Sequence, residues 1–131
     1  QKENIEKIIN KLNLTEHVKM IGHINNAPKF LCAIDILVLS SDSKEGVPQS
    51  VMQGLFMNKQ VVSFDTGSTR DLFHNNNFQL VQRGDEAALI NGVSIFLNNF
   101  DEVSTRKHMI RNFSSKVMVK KIMTSYKEII D

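Results

Sequence analysis

Four consecutive apolar residues, Ile36 to Leu39, constrain the fold of this chain more than any other stretch. A strand without polar alternation has both faces covered, as in the middle of a parallel sheet. A polar loop follows directly, and Pro48 then stands where a helix can begin, because its fixed φ and missing N–H cost nothing in the first turn. The sequence therefore predicts a buried strand, a solvent-open loop and a helix that reaches about residue 58.

The order of strand, turn and helix recurs along the chain. Short β-rich runs are predicted at residues 18–22, 61–64 and 78–81, and helices at about 3–13, 27–33, 70–74, 84–100, 103–112 and 115–130. Connections of this length are too long for hairpins and favour right-handed βαβ units. The expected fold class is α/β, a parallel sheet with flanking helices, formed by residues 1–131 as one domain.

The sequence predicts that particular side chains are buried in two stretches. The first helix repeats its apolar residues at helical spacing, which predicts one buried stripe: Ile5, Ile8, Ile9 and Leu12. The single Cys32 lies in an apolar stretch and is expected to be a buried structural thiol, not a nucleophile.

Composition and motifs exclude several classes. No apolar run approaches the roughly 20 residues of a membrane span, and the first residues are too polar for a signal peptide, so a cytoplasmic protein is expected. A net charge of +2 gives no reason to expect nucleic acid as a partner. His17, His23, His74 and His108 are scattered, so no metal site is expected. The chain also lacks a P-loop, a dinucleotide-binding glycine motif and a serine-hydrolase elbow.

Basic residues are concentrated near the C-terminal end of the sequence. Seven of them fall between Arg106 and Lys127, with no acidic residue before Glu128. Such a run is typical of a solvated helix face. The alternative is contact with an anionic membrane surface or a phosphorylated acceptor.

Polar segments follow three of the predicted strands: His23, residues 40–48 and residues 65–69. The carboxyl ends of parallel strands meet at one edge, where α/β proteins bind ligands. A phosphate suits the helix that begins near Pro48, and the polar groups of Glu45, Gln49 and Gln53 suit a sugar or ribose. Equally, Glu45 is compatible with a helix-terminal acid stabilised by the dipole and Gln53 with an exposed polar residue.

These segments together resemble the C-terminal, donor-binding domain of the family 4 glycosyltransferases, which have the two-Rossmann GT-B fold. The resemblance covers nearly the whole chain and is carried by residues 18–23, 33–41, 45–54, 59–68 and 80–85. It implies transfer of a sugar from a nucleoside diphosphate sugar to a glycan or lipid-linked acceptor, with retention of configuration and without a required metal or other cofactor.

The resemblance also implies roles for individual residues. Glu45 matches the first of two family acids and would contact the transferred sugar as the catalytic residue. The segment at the helix start would bind the donor sugar and diphosphate, namely Gly46, Val47, Pro48, Gln49 and Ser50. His23 and Ile24 would lie beside the base. Gln53 stands where the second acid usually binds the ribose, and an amide there is expected to weaken nucleotide binding.

Two further departures from the family pattern are visible. Ser68 and Arg70 stand where a glycine and a proline are frequent before an acid, which is Asp71 here. The Arg and Lys that usually contact the diphosphate precede the part of the family domain to which this chain corresponds. In the strand order 3-2-1-4-5-6, residues 18–21 would be strand three and residues 36–39 strand four, so strands one and two are missing between them.

Three hypotheses follow. The chain is the donor-binding portion of a retaining glycosyltransferase within a longer protein that supplies an N-terminal domain, or a non-catalytic nucleotide-sugar-binding module of the same fold, or a plain interaction domain. The gap in the sheet is expected to be filled by a longer chain or by pairing with another copy. The 131 residues alone are expected to be inactive.

Overall fold

The computed structural model describes residues 2–41, 46–73, 77–99 and 104–130. The helices are α1 (Lys2–Lys11), α2 (Ala27–Cys32), α3 (Gln49–Phe56), α4 (Glu86–Asn98), α5 (Arg106–Phe113) and α6 (Ser115–Ile130). The strands are β1 (Ile36–Leu39), β2 (Gln60–Phe64) and β3 (Phe78–Val81), and a 3₁₀ turn covers Thr69–Leu72. No helix within these ranges has the length and apolarity to cross a membrane.

The three strands form one parallel sheet in the order β1-β2-β3. Helix α3 connects β1 to β2, and the 3₁₀ turn lies in the connection from β2 to β3. The predicted α/β fold with a Rossmann-like parallel sheet is therefore confirmed. Asp85 accepts a hydrogen bond from the N–H of Ala88 at 2.9 Å and caps α4, as its place after Gly84 predicts.

The core is built around β2, whose residues are all buried. Val51 and Leu55 of α3 pack in one cluster with Val61, and the cluster is completed by Leu72, Phe78 and Met109. Helix α3 contacts β1 and β2, and α4 contacts β1, β2 and β3. This packing fixes where α3 begins relative to the carboxyl ends of β1 and β2.

The strand at residues 36–39 was expected in the middle of a parallel sheet, and among the described residues it lies at an edge, as it must where strands one and two of the expected order are missing. β1 lies at an edge of the sheet, and Val38 is 43% exposed. An uninterrupted apolar run indicates that both faces of the strand can be covered, but it does not indicate how many neighbouring strands are present. The central position belongs to β2.

The strand expected at residues 18–22 does not form. The segment is irregular, with Val18 and Met20 each 40% exposed and Gly22 at φ +67°. A strand needs a hydrogen-bonded neighbour, and the described residues provide none beside this segment because β1 to β3 pair with one another.

The burial expected of α1 and of Cys32 is also wrong. Helix α1 has no buried residue, and Ile5 is 45% and Ile8 56% exposed, because no described sheet or helix covers its apolar stripe. Cys32 is an exposed free thiol. It is the last residue of the short α2, in which Leu31 is the buried position.

Candidate functional site

The loops after β1 and β2 leave the same edge of the sheet. Leu39 pairs with Ser63, so Ser40 and Asp65 follow from neighbouring strand ends. The N–H of Asp65 donates to the carbonyl of Val81 at 2.8 Å, which extends the pairing of β2 and β3 to this edge. The predicted convergence of residues 40–48 and 65–69 at the carboxyl edge is thus observed for their described parts.

Helix α3 begins at this edge of the sheet. Pro48 is buried at the N-cap with φ −66° and ψ 117°, and its carbonyl accepts the first helical hydrogen bond from the N–H of Met52 at 3.1 Å. Pro48 makes no side-chain capping hydrogen bond, and Gln49 and Ser50 are exposed. The first-turn N–H groups and the positive end of the helix dipole can therefore receive an anion.

Gln49 and Gln53 lie one turn apart on the exposed face of α3, as their spacing predicts. The opposite face holds the helix in place through Val51, which is fully buried, and Leu55, which is 2% exposed. Because the backbone is anchored in the core, the backbone positions of Gln49 and Gln53 are fixed on the exposed face of the helix. Amide side chains both donate and accept hydrogen bonds, so Gln49 and Gln53 can bind the hydroxyl groups of a polyhydroxylated ligand.

The expected catalytic Glu45 lies outside the described residues, as do Asp42 to Lys44. The residues that follow it are placed at the entrance to α3: Gly46 and Val47 are exposed, and Val47 borders a cavity with Gln49 and Met52. The chain therefore brings Gly46 to Ser50 and Gln53 together at one end of one helix.

The loop after β2 contains a feature that the sequence patterns do not predict. Arg70 forms an ion pair with Asp65, and both border a cavity of about 330 Å³ at the ends of β2 and β3. Thr69 donates its N–H to the carbonyl of Thr66 at 3.1 Å, and Gly67 adopts φ +55° in this tight turn. The basic residue at position 70, where the family frequently has proline, is the sequence signal for this pair.

The structure does not place His23 and Ile24 at the carboxyl edge of the sheet. They lie in the irregular segment before α2, where His23 is exposed and Ile24 half-buried. Since the segment is not a strand, the register of the sheet does not place them beside α3. Within the described ranges, no three His, Cys, Asp or Glu side chains come together as a possible cation site.

Comparison with known sequences identifies relatives of the chain. Residues 1–116 match the family described as glycosyl transferases group 1. An uncharacterized glycosyltransferase of Methanocaldococcus jannaschii is 39% identical over 64 residues, which is 49% of this chain and 16% of that protein. The matched region is thus a small part of the longer relative.

Solved structures with the same architecture are much longer than this chain. Anabaena HepE in complex with UDP superimposes with a TM-score of 0.86 at 17% identity, over 96% of this chain and 36% of HepE. Sucrose-phosphate synthase from Thermosynechococcus elongatus gives a TM-score of 0.82 at 17% identity, over 98% of this chain and 34% of that one. The chain spans about a third of either structure and has the fold of the corresponding part.

Proposed function

Because the chain belongs to the group 1 glycosyl transferases, we propose that it is the donor-binding portion of a retaining glycosyltransferase. The donor is a nucleoside diphosphate sugar, and the acceptor is a glycan or a lipid-linked molecule. One observation carries the proposal: the start of α3, where Pro48 supplies no side-chain cap, lies at the carboxyl edge of the sheet, with the exposed Gln49 and Gln53 on the helix. Anabaena HepE, which shares the fold, has been crystallised with UDP and with UDP and glucose.

The proposed donor lies along the first turns of α3. The N–H groups of Gln49 and Ser50 bind the diphosphate, and Gln53 hydrogen-bonds the ribose hydroxyls. Glu45 contacts hydroxyls of the transferred sugar, and Gly46 and Val47 line its binding site. His23 and Ile24 are the proposed neighbours of the base.

The chemistry requires stabilisation of the diphosphate as the bond to the sugar breaks. Negative charge accumulates on the leaving oxygen, and prepositioned N–H donors at a helix start stabilise it without reorganisation. The dipole of α3 adds to this stabilisation. We propose that transfer proceeds with retention of configuration and needs no metal ion, and that part of the remaining positive charge comes from an Arg and a Lys elsewhere in the protein.

Substitution of Glu45 in the full-length protein tests the proposed catalytic role. Glu45→Gln should lower turnover on the order of 100-fold or more, as is typical when a group that stabilises the transition state is removed. The control is Glu86→Gln, which makes the same substitution at an exposed residue in the first turn of α4. Unchanged turnover in Glu45→Gln, with the control also active, would contradict the assignment. The anomeric configuration of the product, read by NMR, tests retention.

A non-catalytic nucleotide-sugar-binding module is the second candidate, and Gln53 favours it because an amide lacks the charge of the usual family acid. Calorimetry with nucleoside diphosphates separates the candidates when it is combined with a turnover assay. Binding without turnover of any tested donor would support the second candidate. Binding with turnover would support the enzyme.

A further inference from the structure

The cavity at the ends of β2 and β3 is bordered by charged side chains that the proposed donor does not use. Arg70 follows β2 and Arg83 follows β3, while Asp65 forms an ion pair with Arg70. The cavity of about 330 Å³ has the size of a small-molecule site. It lies at the carboxyl edge of the sheet, where α/β proteins bind their ligands. A second part of the substrate is therefore the natural occupant to consider.

The loop that carries Arg70 is held in a closed turn. Thr69 is fully buried and donates both its N–H, at 3.1 Å, and its hydroxyl to the carbonyl of Thr66. At the start of the loop, the N–H of Asp65 donates to the carbonyl of Val81 at 2.8 Å. These contacts fix the backbone that carries both members of the ion pair.

The turn that carries Arg83 is closed as well. The N–H of Asp85 donates to the carbonyl of Gln82 at 3.0 Å, and the Asp85 carboxylate accepts from the N–H of Ala88 at 2.9 Å. Gly84 adopts φ +79° in this turn, which favours glycine over other residues. Arg83 therefore stands at a fixed backbone position beside the cavity.

The charged groups at this cavity suit an anionic ligand. Among the described residues that border it, there are two guanidinium groups and one carboxylate. The ion pair joins Nη2 of Arg70 to Oδ2 of Asp65. Because a guanidinium has five N–H donors in a planar fork, Arg70 can bind a second acceptor while Asp65 orients it. Two oxygens of a carboxylate or a phosphate match this fork.

We propose that the cavity binds an acidic sugar of the acceptor, through a carboxylate or a phosphate on that sugar. Neighbouring strands lie about 4.8 Å apart, so the cavity is about 5 to 10 Å along the sheet from the end of β1, where the loop to Glu45 begins. A glycan that offers a hydroxyl to the transferred sugar can thus place another part of itself against Arg70. The assignment to the acceptor rests on the proposed function, whereas the binding of an acidic sugar does not.

A ligand-observed NMR titration of the full-length protein, with and without UDP, tests the proposal. The probes are glucuronate, glucose 6-phosphate and glucose, which share a ring and differ at carbon 6. At least one of the two acids should bind about tenfold or more tightly than glucose, because its hydrogen bonds to guanidinium are charge-assisted. The acid that binds better identifies the anionic group as a carboxylate or a phosphate.

Three results of this titration would overturn the proposal. The first is equal binding of all three sugars, and the second is no binding of either acid, as when another part of the protein fills the cavity. The third is release of a bound acid by UDP, which would show that the acid competes for the nucleotide site.

Substitution of Arg70 locates the bound acid. Arg70→Gln should lower its affinity about tenfold or more, and Arg70→Lys should recover only part of the loss, because lysine keeps the charge without the fork. The matched control Arg111→Gln removes an exposed guanidinium of α5 and should leave the affinity unchanged. Equal loss in Arg70→Gln and in the control would show an effect of overall charge and would contradict a site at the cavity.

Turnover assays keep this proposal separate from the proposed function. If no sugar transfer is found but an acid binds in an Arg70-dependent way, the assignment to an acceptor fails and the anion site stands. If transfer is found but neither acid binds, this proposal fails and the proposed function stands. Glu45→Gln should abolish most of the turnover and leave the affinity for the acid unchanged.

Discussion

The side chain of Gln53 provides a central part of the chemistry proposed for the candidate site. It is exposed on α3 beside Gln49, and its proposed partners are the ribose hydroxyls of the nucleotide. A carboxylate at the same place would accept charge-assisted hydrogen bonds, which are about twice as strong as neutral ones.

Gln53→Glu should therefore tighten the binding of a nucleoside diphosphate by about 3- to 10-fold, because one hydrogen bond gains on the order of 1 kcal/mol. Calorimetry with UDP and GDP on the full-length protein measures the change. Gln49→Glu is the matched control: the same substitution one turn earlier brings negative charge to the proposed diphosphate position and should weaken binding. If both variants tighten binding, or both weaken it, the proposed order of ribose and diphosphate along α3 is wrong.

At the scale of single residues, the sequence predicts which side chains share a helix face, because this depends only on helical spacing. Gln49 and Gln53 share a face because residues four apart lie one turn apart. The ion pair between Asp65 and Arg70 was not predicted, because it depends on the path of the loop after β2, and the basic residue at position 70 was its only sequence signal. The exposure of Cys32 was not predicted, because apolar neighbours in the sequence do not indicate which side of a short helix faces the core.

Two glycines set how closely helices pack on the sheet. A Cβ on Gly54 of α3 would lie 2.8 Å from Cδ2 of Leu37, and a Cβ on Gly92 of α4 would lie 2.8 Å from Cγ1 of Val62. The distances are equal, but the neighbours differ. Leu37 is half-buried on the edge strand and ends in a flexible side chain, whereas the branched Val62 is fully buried in the central strand.

Gly92→Ala should thus destabilise the protein more than Gly54→Ala. Either substitution gains about 1 kcal/mol of helix propensity. At Gly92, overpacking against Val62 should cost about 1 to 3 kcal/mol, while Leu37 can move aside at Gly54. Urea unfolding of both variants measures the difference. Equal or reversed midpoints would contradict the close packing of α4 on β2.

The elements themselves show why strand prediction partly fails. The runs at β2 and β3 were predicted correctly because their apolar residues are covered by α4, α3 and the core cluster. Residues 18–22 have a similar β-rich pattern but no neighbouring strand among the described residues. The periodicity of apolar residues indicates which secondary structure a segment prefers, whereas the pairing of strands depends on residues far away in sequence.

At the scale of the whole molecule, the described residues form a three-stranded parallel sheet with flanking helices, and β1 and β3 are its edge strands. The parallel order matches the last three strands of the predicted 3-2-1-4-5-6 arrangement, and the chain spans about a third of the solved structures that share its fold. The topology was predictable because the alternation of strands and helices permits few connections. The exposed edge of β1 agrees with the expected absence of strands one and two beside it, although the apolar run alone does not reveal an edge.

The 131-residue chain by itself should transfer no sugar. The proposed site receives its diphosphate donors from α3, but the proposed basic partners and the acceptor-binding domain are expected in other parts of a longer protein. A donor-consumption assay with the isolated chain, compared with the full-length protein, measures this. Turnover by the isolated chain would contradict the division of the site between two parts.

A crystal structure of the full-length protein with UDP or GDP tests the central claim most directly. The account predicts diphosphate oxygens within hydrogen-bond distance of the backbone N–H groups of Gln49 and Ser50, with the ribose beside Gln53. A nucleotide bound away from the start of α3, for example at the cavity beside Asp65 and Arg70, would contradict it.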